Sequence, residues 1–225
     1  MRIIDCRQFT KTIVNVAPKT FEKGLCVTQD EFLALPDAFG NRLLDVDAVV
    51  KIIEKTGNNV PIIFDVELES RQLETMAAIH GLMGCCPSTE YGFYNMMPTV
   101  GPDTLIATKY PYDAGKWLDK QREIDLILNN VTMRCPSLYN QSNPDDDARV
   151  FAFIAAWARR SSQATLPFVS NRIMGEASGA LVPKYQLWNT LTACKQCFNA
   201  AIAWTNFEVE TDPTFTQCLL DFAHM

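Results

Sequence analysis

The chain has 225 residues, 48% apolar and 20% charged, with a net charge of −6 at pH 7, a balance that supports a sizeable core and excludes a disordered chain. The acidic charge, together with the lack of any Lys/Arg run longer than a pair such as Arg159–Arg160, argues against nucleic acid as a partner. No apolar stretch reaches the roughly 18–20 residues of a membrane span, and MRIIDCRQFTKTIVNVAP lacks the apolar centre and cleavage site of a signal peptide.

Short apolar runs alternate with longer segments of helical periodicity. TIVNVA (12–17) and GLCVTQ (24–29) read as strands, and DVDAVVKIIEKTG (45–57) reads as an amphipathic helix with apolar Val46, Val49, Val50 and Ile53 and a closing Gly57. VPIIFDVE (60–67) predicts a strand, SRQLETMAAIHGLMG (70–84) a helix, and EYGFYNM (90–96) and TMRCPSLY (132–139) two more strands. NPDDDARVFAFIAAWARRSSQ (143–163) predicts a helix with three Asp at the positive end of its dipole. TLPFVSN (165–171), YQLWNTLTACKQCFNA (185–200) and AAIAWTN (200–206) follow as strand, helix and strand.

No repeat or Gly/Ser-rich linker divides the chain, so residues 1–225 are expected to form one domain. Strand followed by helix, repeated, implies parallel strands joined by right-handed crossovers. The fold class is therefore α/β: a compact (β/α) barrel of about seven to eight parallel strands, TIM-barrel-like. An open sheet would carry a Gly-rich phosphate turn at its first crossover. Neither GxGxxG nor GxxxxGK[ST] occurs, and no cofactor is expected.

The strand IIFDVELES ends in acids spaced two apart. Alternation puts Phe64, Val66 and Leu68 on one face, packing on helices, and Ile63, Asp65 and Glu67 on the other, pointing inward. The C-terminal ends of barrel strands form the mouth where such enzymes place their chemistry. Burial and like charge disfavour ionising both acids, so one is expected to keep a proton near neutrality. That split suits glycoside hydrolysis. Residues i and i+2 start only about 6–7 Å apart on the same strand, which favours substrate assistance over a pair flanking the bond. The alternative is that Asp65 and Glu67 end a strand in solvent or pair with Arg134 or Arg172, while Glu69 reads as a solvated loop residue.

Other groups read as structural. His80 lies in a helical pattern and His224 near the C-terminus, leaving no material for a histidine-based triad. Cys194 and Cys197 form a CxxC on a helix without a second ligand pair, so no metal site is expected. The eight cysteines read as reduced, core-filling thiols.

NVAPKTFEKGL, NRLLDVDAVVKIIE, EYGFYNMMP, RCPSLYN, TLPFVSNRI and LWNTLTACKQCFNAAIAWTN occur in an order that, with Asp65-x-Glu67, resembles the hyaluronidase family of glycoside hydrolases across roughly residues 11–207. The resemblance implies a barrel whose third strand ends in the catalytic acids. By position, Glu67 would be the acid/base, and Asp65 would orient the substrate's acetamido group, whose carbonyl oxygen is the nucleophile. Tyr94 and Tyr139 would line the mouth and hydrogen-bond that group, and Trp204 would form the floor under the sugar. Tyr91, Arg134 and Arg172 complete the expected substrate-binding set, the arginines supplying positive potential in an acidic protein. The family's paired cysteines have no counterpart at Glu22 or in YNMMPTVG, and Cys26 with Cys218 is the replacement that the resemblance leaves open.

The function implied is a retaining, substrate-assisted glycosidase, a hyaluronidase-like endo-N-acetylhexosaminidase with a glycan substrate. Its setting would be extracellular or particle-associated. Two alternatives stand beside it. One is a non-catalytic carbohydrate-binding or surface/virion structural barrel; the other is a divalent-metal-dependent barrel enzyme in which Asp65 and Glu67 hold the ion.

Overall fold

The computed structural model describes residues 1–8, 21–28, 33–36, 42–44, 46–56, 60–65, 72–95, 131–159, 162–173, 180–204 and 212–225. Ten strands and five helices are described: β1 (Arg2–Gln8), β2 (Glu22–Thr28), β3 (Leu33–Pro36), β4 (Arg42–Leu44), α1 (Val46–Thr56), β5 (Ile62–Asp65), α2 (Gln72–Cys85), β6 (Tyr91–Asn95), β7 (Met133–Pro136), α3 (Pro144–Ala158), β8 (Ala164–Thr165), β9 (Phe168–Val169), α4 (Lys184–Cys197), β10 (Ala200–Trp204) and α5 (Pro213–His224). Eight of the strands form one sheet in the order β8-β7-β6-β5-β2-β1-β10-β9, and every pairing in it is parallel.

The two outer members of that order are consecutive in the chain, separated only by Leu166 and Pro167. This segment bonds to both neighbours. Leu166 N donates to Arg134 O at 2.8 Å and Leu138 N to Phe168 O at 2.8 Å on the β7 side, while Ile202 N donates to Pro167 O at 2.8 Å on the β10 side. A parallel bridge joins Ser137 to Phe168. The sheet therefore curls until it meets itself, and β8 and β9 act as one strand interrupted at a proline, which has no N–H for the ladder. The result is the TIM-barrel-like α/β architecture that alternating strands and helices predict, with no open edge along this segment.

Alternation along the strands sorts the core into two parts. Ile4, Cys6, Cys26, Ile63, Met133 and Cys135, with Phe168 and Ile202, form a cluster to which no helix contributes, filling the barrel interior. Their neighbours Ile62, Phe64, Phe93 and Ala203 join a second cluster with Val49 and Ile53 of α1, Ile79 and Leu82 of α2, Ile154 of α3, Leu191 of α4 and Phe215 and Leu219 of α5. Each large side chain fully buried in this way contributes about 1.5–3 kcal/mol. At the N-terminal end of the barrel, Arg2 donates to Glu22 through Nε at 2.7 Å and through a second nitrogen at 2.8 Å, and also reaches Glu90. These pairs tie β1, β2 and the approach to β6 at the end opposite the mouth, and they raise the Arg2 pKa further above its already high value.

Several expectations change. The first barrel strand is Arg2–Gln8, where an Ile–Ile pair flanked by Arg and Asp hides the strand pattern; the run at 12–17 lies outside the described residues. A further helix, α5, follows the last strand. Its Asp212 caps the N-terminus by accepting from Thr214 N at 2.9 Å and Phe215 N at 3.2 Å, and Phe215, Cys218, Leu219 and Phe222 form its buried stripe. The antiparallel pair β3–β4 had no counterpart among the predicted elements. All eight cysteines are free thiols, which overturns the Cys26–Cys218 pairing: Cys26 lies in the barrel interior and Cys218 among the helices. Burial pushes the Cys135 and Cys194 thiols well above their ordinary range, keeping them protonated. Among the described residues, no helix is long and apolar enough to cross a membrane.

Candidate active site

The mouth of the barrel is where β5, β6, β7, β9 and β10 end. Asp65 is the last residue of β5 and is half-buried. Register pairs Ile63 with Gly92 and Phe64 with Phe93, so Asp65 and Tyr94 follow side by side on adjacent strands. Inward-facing Ile63 puts Asp65 on the interior side by alternation. Tyr94 belongs to the interior cluster and is 6% exposed. Its ring meets Phe168 of β9 edge-on, with centroids 5.3 Å apart and planes at 81°, a favourable aromatic geometry that fixes an apolar wall beside Asp65. Tyr139, three residues beyond β7, packs against the same interior cluster. Trp204 ends β10 in register with Cys6 of β1. Arg172 sits exposed just past β9, its N–H donating to Ser170 Oγ at 3.0 Å and its backbone bridged to Leu181. Glu67, two residues beyond Asp65, lies outside the described residues.

Two of the predicted residues are elsewhere. Tyr91 is on the opposite face of β6 from Tyr94, fully buried among the helices, and its hydroxyl donates to the carbonyls of Leu82 at 3.2 Å and Cys86 at 3.1 Å at the end of α2. Burial pushes its pKa up to about 12. A spacing of three puts the two tyrosines on opposite faces of a strand, so Tyr91 is a packing residue. Arg134 likewise alternates away from inward-facing Met133 and Cys135; it is 3% exposed, and its Nε donates to Gln163 Oε1 at 2.8 Å. It does not carry positive potential into the mouth.

Residues absent from the predicted site hold the loop that bears Tyr139. Asp147, in the first turn of α3, accepts from Gln141 N at 2.6 Å through Oδ1, and from Asn140 Nδ2 and Gln186 Nε2, both at 2.7 Å, through Oδ2. Gln186 Nε2 also donates to Gln141 O at 2.8 Å, and Gln141 Nε2 to Tyr139 O at 2.7 Å. In NPDDDAR the third Asp is thus a loop clamp as well as a dipole charge. No sequence spacing links it to Gln186, which is brought in by the tertiary fold. Among the described residues, no group of three or more His, Cys, Asp or Glu is placed to hold a metal ion.

Solved structures share this architecture. Bee venom hyaluronidase, in a complex with a hyaluronic acid tetramer, superposes with a TM-score of 0.62 at 11% identity, covering 100% of this chain and 95% of that one. Active domain 2 of the chitinase from Pyrococcus furiosus gives 0.58 at 11% identity over 91% of this chain and 73% of that one. The C-terminal domain of Legionella pneumophila ChiA gives 0.55 at 9% identity over 99% and 96%. The fold is that of the hyaluronidase and chitinase barrels. No family model matches the chain, and no curated protein sequence matches it. At these identities the likeness concerns the fold.

Proposed function

We propose that the chain is a glycosidase that cleaves an N-acetylhexosamine-containing glycan by a retaining, substrate-assisted mechanism. The observation that carries this reading is the position of Asp65, half-buried at the C-terminal end of β5 beside the Tyr94–Phe168 wall, in a fold shared with a hyaluronidase and a chitinase. The resemblance to the hyaluronidase family assigns Glu67 the proton. Its carboxyl protonates the glycosidic oxygen as the bond to the anomeric carbon breaks, and the acetamido carbonyl oxygen bonds to that carbon from the other face. Asp65 accepts the acetamido N–H, orienting the group and balancing the positive charge that develops. Water, deprotonated by Glu67, then opens the cyclic intermediate and restores the acetamido group, so configuration is retained. The apolar wall excludes water and strengthens each of these interactions. Tyr139, Trp204 and Arg172 would contact the sugar around this centre, and an extracellular or particle-associated setting would follow from such a substrate.

The test is Glu67→Gln. Release of reducing ends from hyaluronan- or chitin-type chains should vanish while the circular dichroism spectrum is unchanged; normal turnover by this variant would overturn the assignment.

A further inference from the structure

Outside the barrel, α3 and α4 leave a slot of about 240 Å³ beside their contact, with the small residues Ala148 of α3 and Ala193 of α4 on its lining. The slot begins beside Tyr139, the residue that packs on the barrel interior at the mouth. One residue therefore borders both spaces.

The slot is lined mainly by apolar groups, with a few polar side chains among them. Asn140 and Thr190 line it, 2% and 8% exposed. Thr190 Oγ1 accepts from Asn140 Nδ2 at 2.8 Å, which leaves the hydroxyl proton to donate. Asn140 Oδ1 is buried without a hydrogen-bond partner, a state that costs about 1–3 kcal/mol and that native interiors rarely tolerate without a reason. Asp147, also on the lining, takes three N–H bonds, fewer than the about four lone-pair sites of a carboxylate. Thr190 and Asp147 thus bring one donor and one acceptor to the lining between apolar walls, in side chains already locked to their neighbours, with the unpartnered Asn140 Oδ1 closed off behind them. A carboxylate at the lining repels an anion. The pattern suits a neutral, hydroxylated ring with an apolar face.

We propose that this slot is a second carbohydrate subsite, seating one neutral sugar unit of a glycan chain whose reacting bond lies in the barrel mouth, with Tyr139 as the step between the two. The subsite rests on the glycosidase reading and adds to it that the substrate is an extended chain gripped away from the scissile bond.

The experiment uses the full chain carrying Glu67→Gln, titrated calorimetrically with N-acetylglucosamine oligosaccharides of two, four and six units. Affinity should rise at least about tenfold with length. Filling the slot with Ala148→Phe and Ala193→Phe should remove most of that gain, and Lys195→Ala, on α4 but outside the slot, should keep it. Hydrogen exchange on the unfilled protein is a second readout, independent of whether the filled variant folds: the six-unit oligosaccharide should slow exchange in residues 144–151 and 186–193. A length gain that survives filling, or exchange unchanged in those segments while the oligosaccharide is bound, overturns the subsite and leaves the glycosidase reading standing. If no oligosaccharide binds at any length, the glycosidase reading falls and the subsite with it.

Discussion

Tyr91 and Tyr94 share one strand and one residue type, yet they make opposite contributions. Tyr94 looks into the barrel against Phe168, whereas the Tyr91 hydroxyl serves the carbonyls that end α2. Tyr94→Phe should lower turnover about 10- to 100-fold if the hydroxyl bonds a charged transition state, since such a bond contributes about 1.5–3 kcal/mol, and unfolding midpoints should hardly move. Tyr91→Phe should do the reverse: kinetic constants stay, and urea unfolding shows a loss of about 1 kcal/mol. The pH dependence follows from the same burial. A tyrosine held near 12 in the folded protein ionises first in the unfolded chain, at about 10. Above pH 10 the unfolded state therefore binds fewer protons, and stability falls as pH climbs toward 12. Urea titrations between pH 8 and 12 should show this decline in the parent and a shallower one in Tyr91→Phe. A parent decline no steeper than the variant's would mean that the hydroxyl is not held neutral by burial.

At the level of elements, what was legible depended on whether a signal was local. β5, β6 and β7 are short apolar runs between turn residues, and α1 and α3 carry helical spacing with charged end residues that suit it, so a period and its borders find them, whereas α2 is apolar nearly all round and is marked by its length. β1 escapes because only Ile3 and Ile4 stand together before the buried Asp5, and burial of a carboxylate is decided by partners elsewhere in the fold. α5 was legible in principle, since Asp212–Pro213 starts it and Phe215, Leu219 and Phe222 fall on one face. The inward face of Asp65 followed from alternation and Tyr94 from the family resemblance, whereas the clamp on the Tyr139 loop depends on Gln186, 45 residues from Gln141, and no pattern in the chain announces it. Asp212 also accepts from Asn171 Nδ2 at 3.0 Å, joining the segment after β9 to α5. Asp212→Ala should therefore cost about 1–2 kcal/mol, from the lost cap and the lost cross-link. Thermal melting should register this, with Asp212→Asn recovering part of the cap; equal stability of parent and alanine variant would show that α5 needs neither.

The whole barrel is narrow, because β8 and β9 share one place in the ring, and a narrow ring cannot fill every inward position with a large side chain. Glycines stand at two of them. A Cβ on Gly92 would lie 2.7 Å from Cys135 Sγ, 3.2 Å from Ile63 Cγ1 and 3.3 Å from the Met133 methyl, and one on Gly24 would lie 2.6 Å from an Ile4 methyl. Gly92 thus stands between inward side chains of the two flanking strands, and the thiol of Cys135 occupies the space that its Cβ would need. Gly92→Ala should destabilise the protein by about 1–3 kcal/mol, as overpacking does. Cys135→Ala alone removes a buried sulfur and should also destabilise, but combined with Gly92→Ala it clears the atom in closest conflict. The double variant should therefore be more stable than the sum of the single losses allows, with a coupling of about 0.5–3 kcal/mol. Tyr94 lies two residues beyond Gly92 on the same strand, so the strain reaches the mouth, and the single variant should lose activity that the double variant partly regains. Urea unfolding of the four proteins measures the coupling and turnover measures its reach. Strict additivity would show that Gly92 answers to the backbone of β6 alone and not to the closure of the ring.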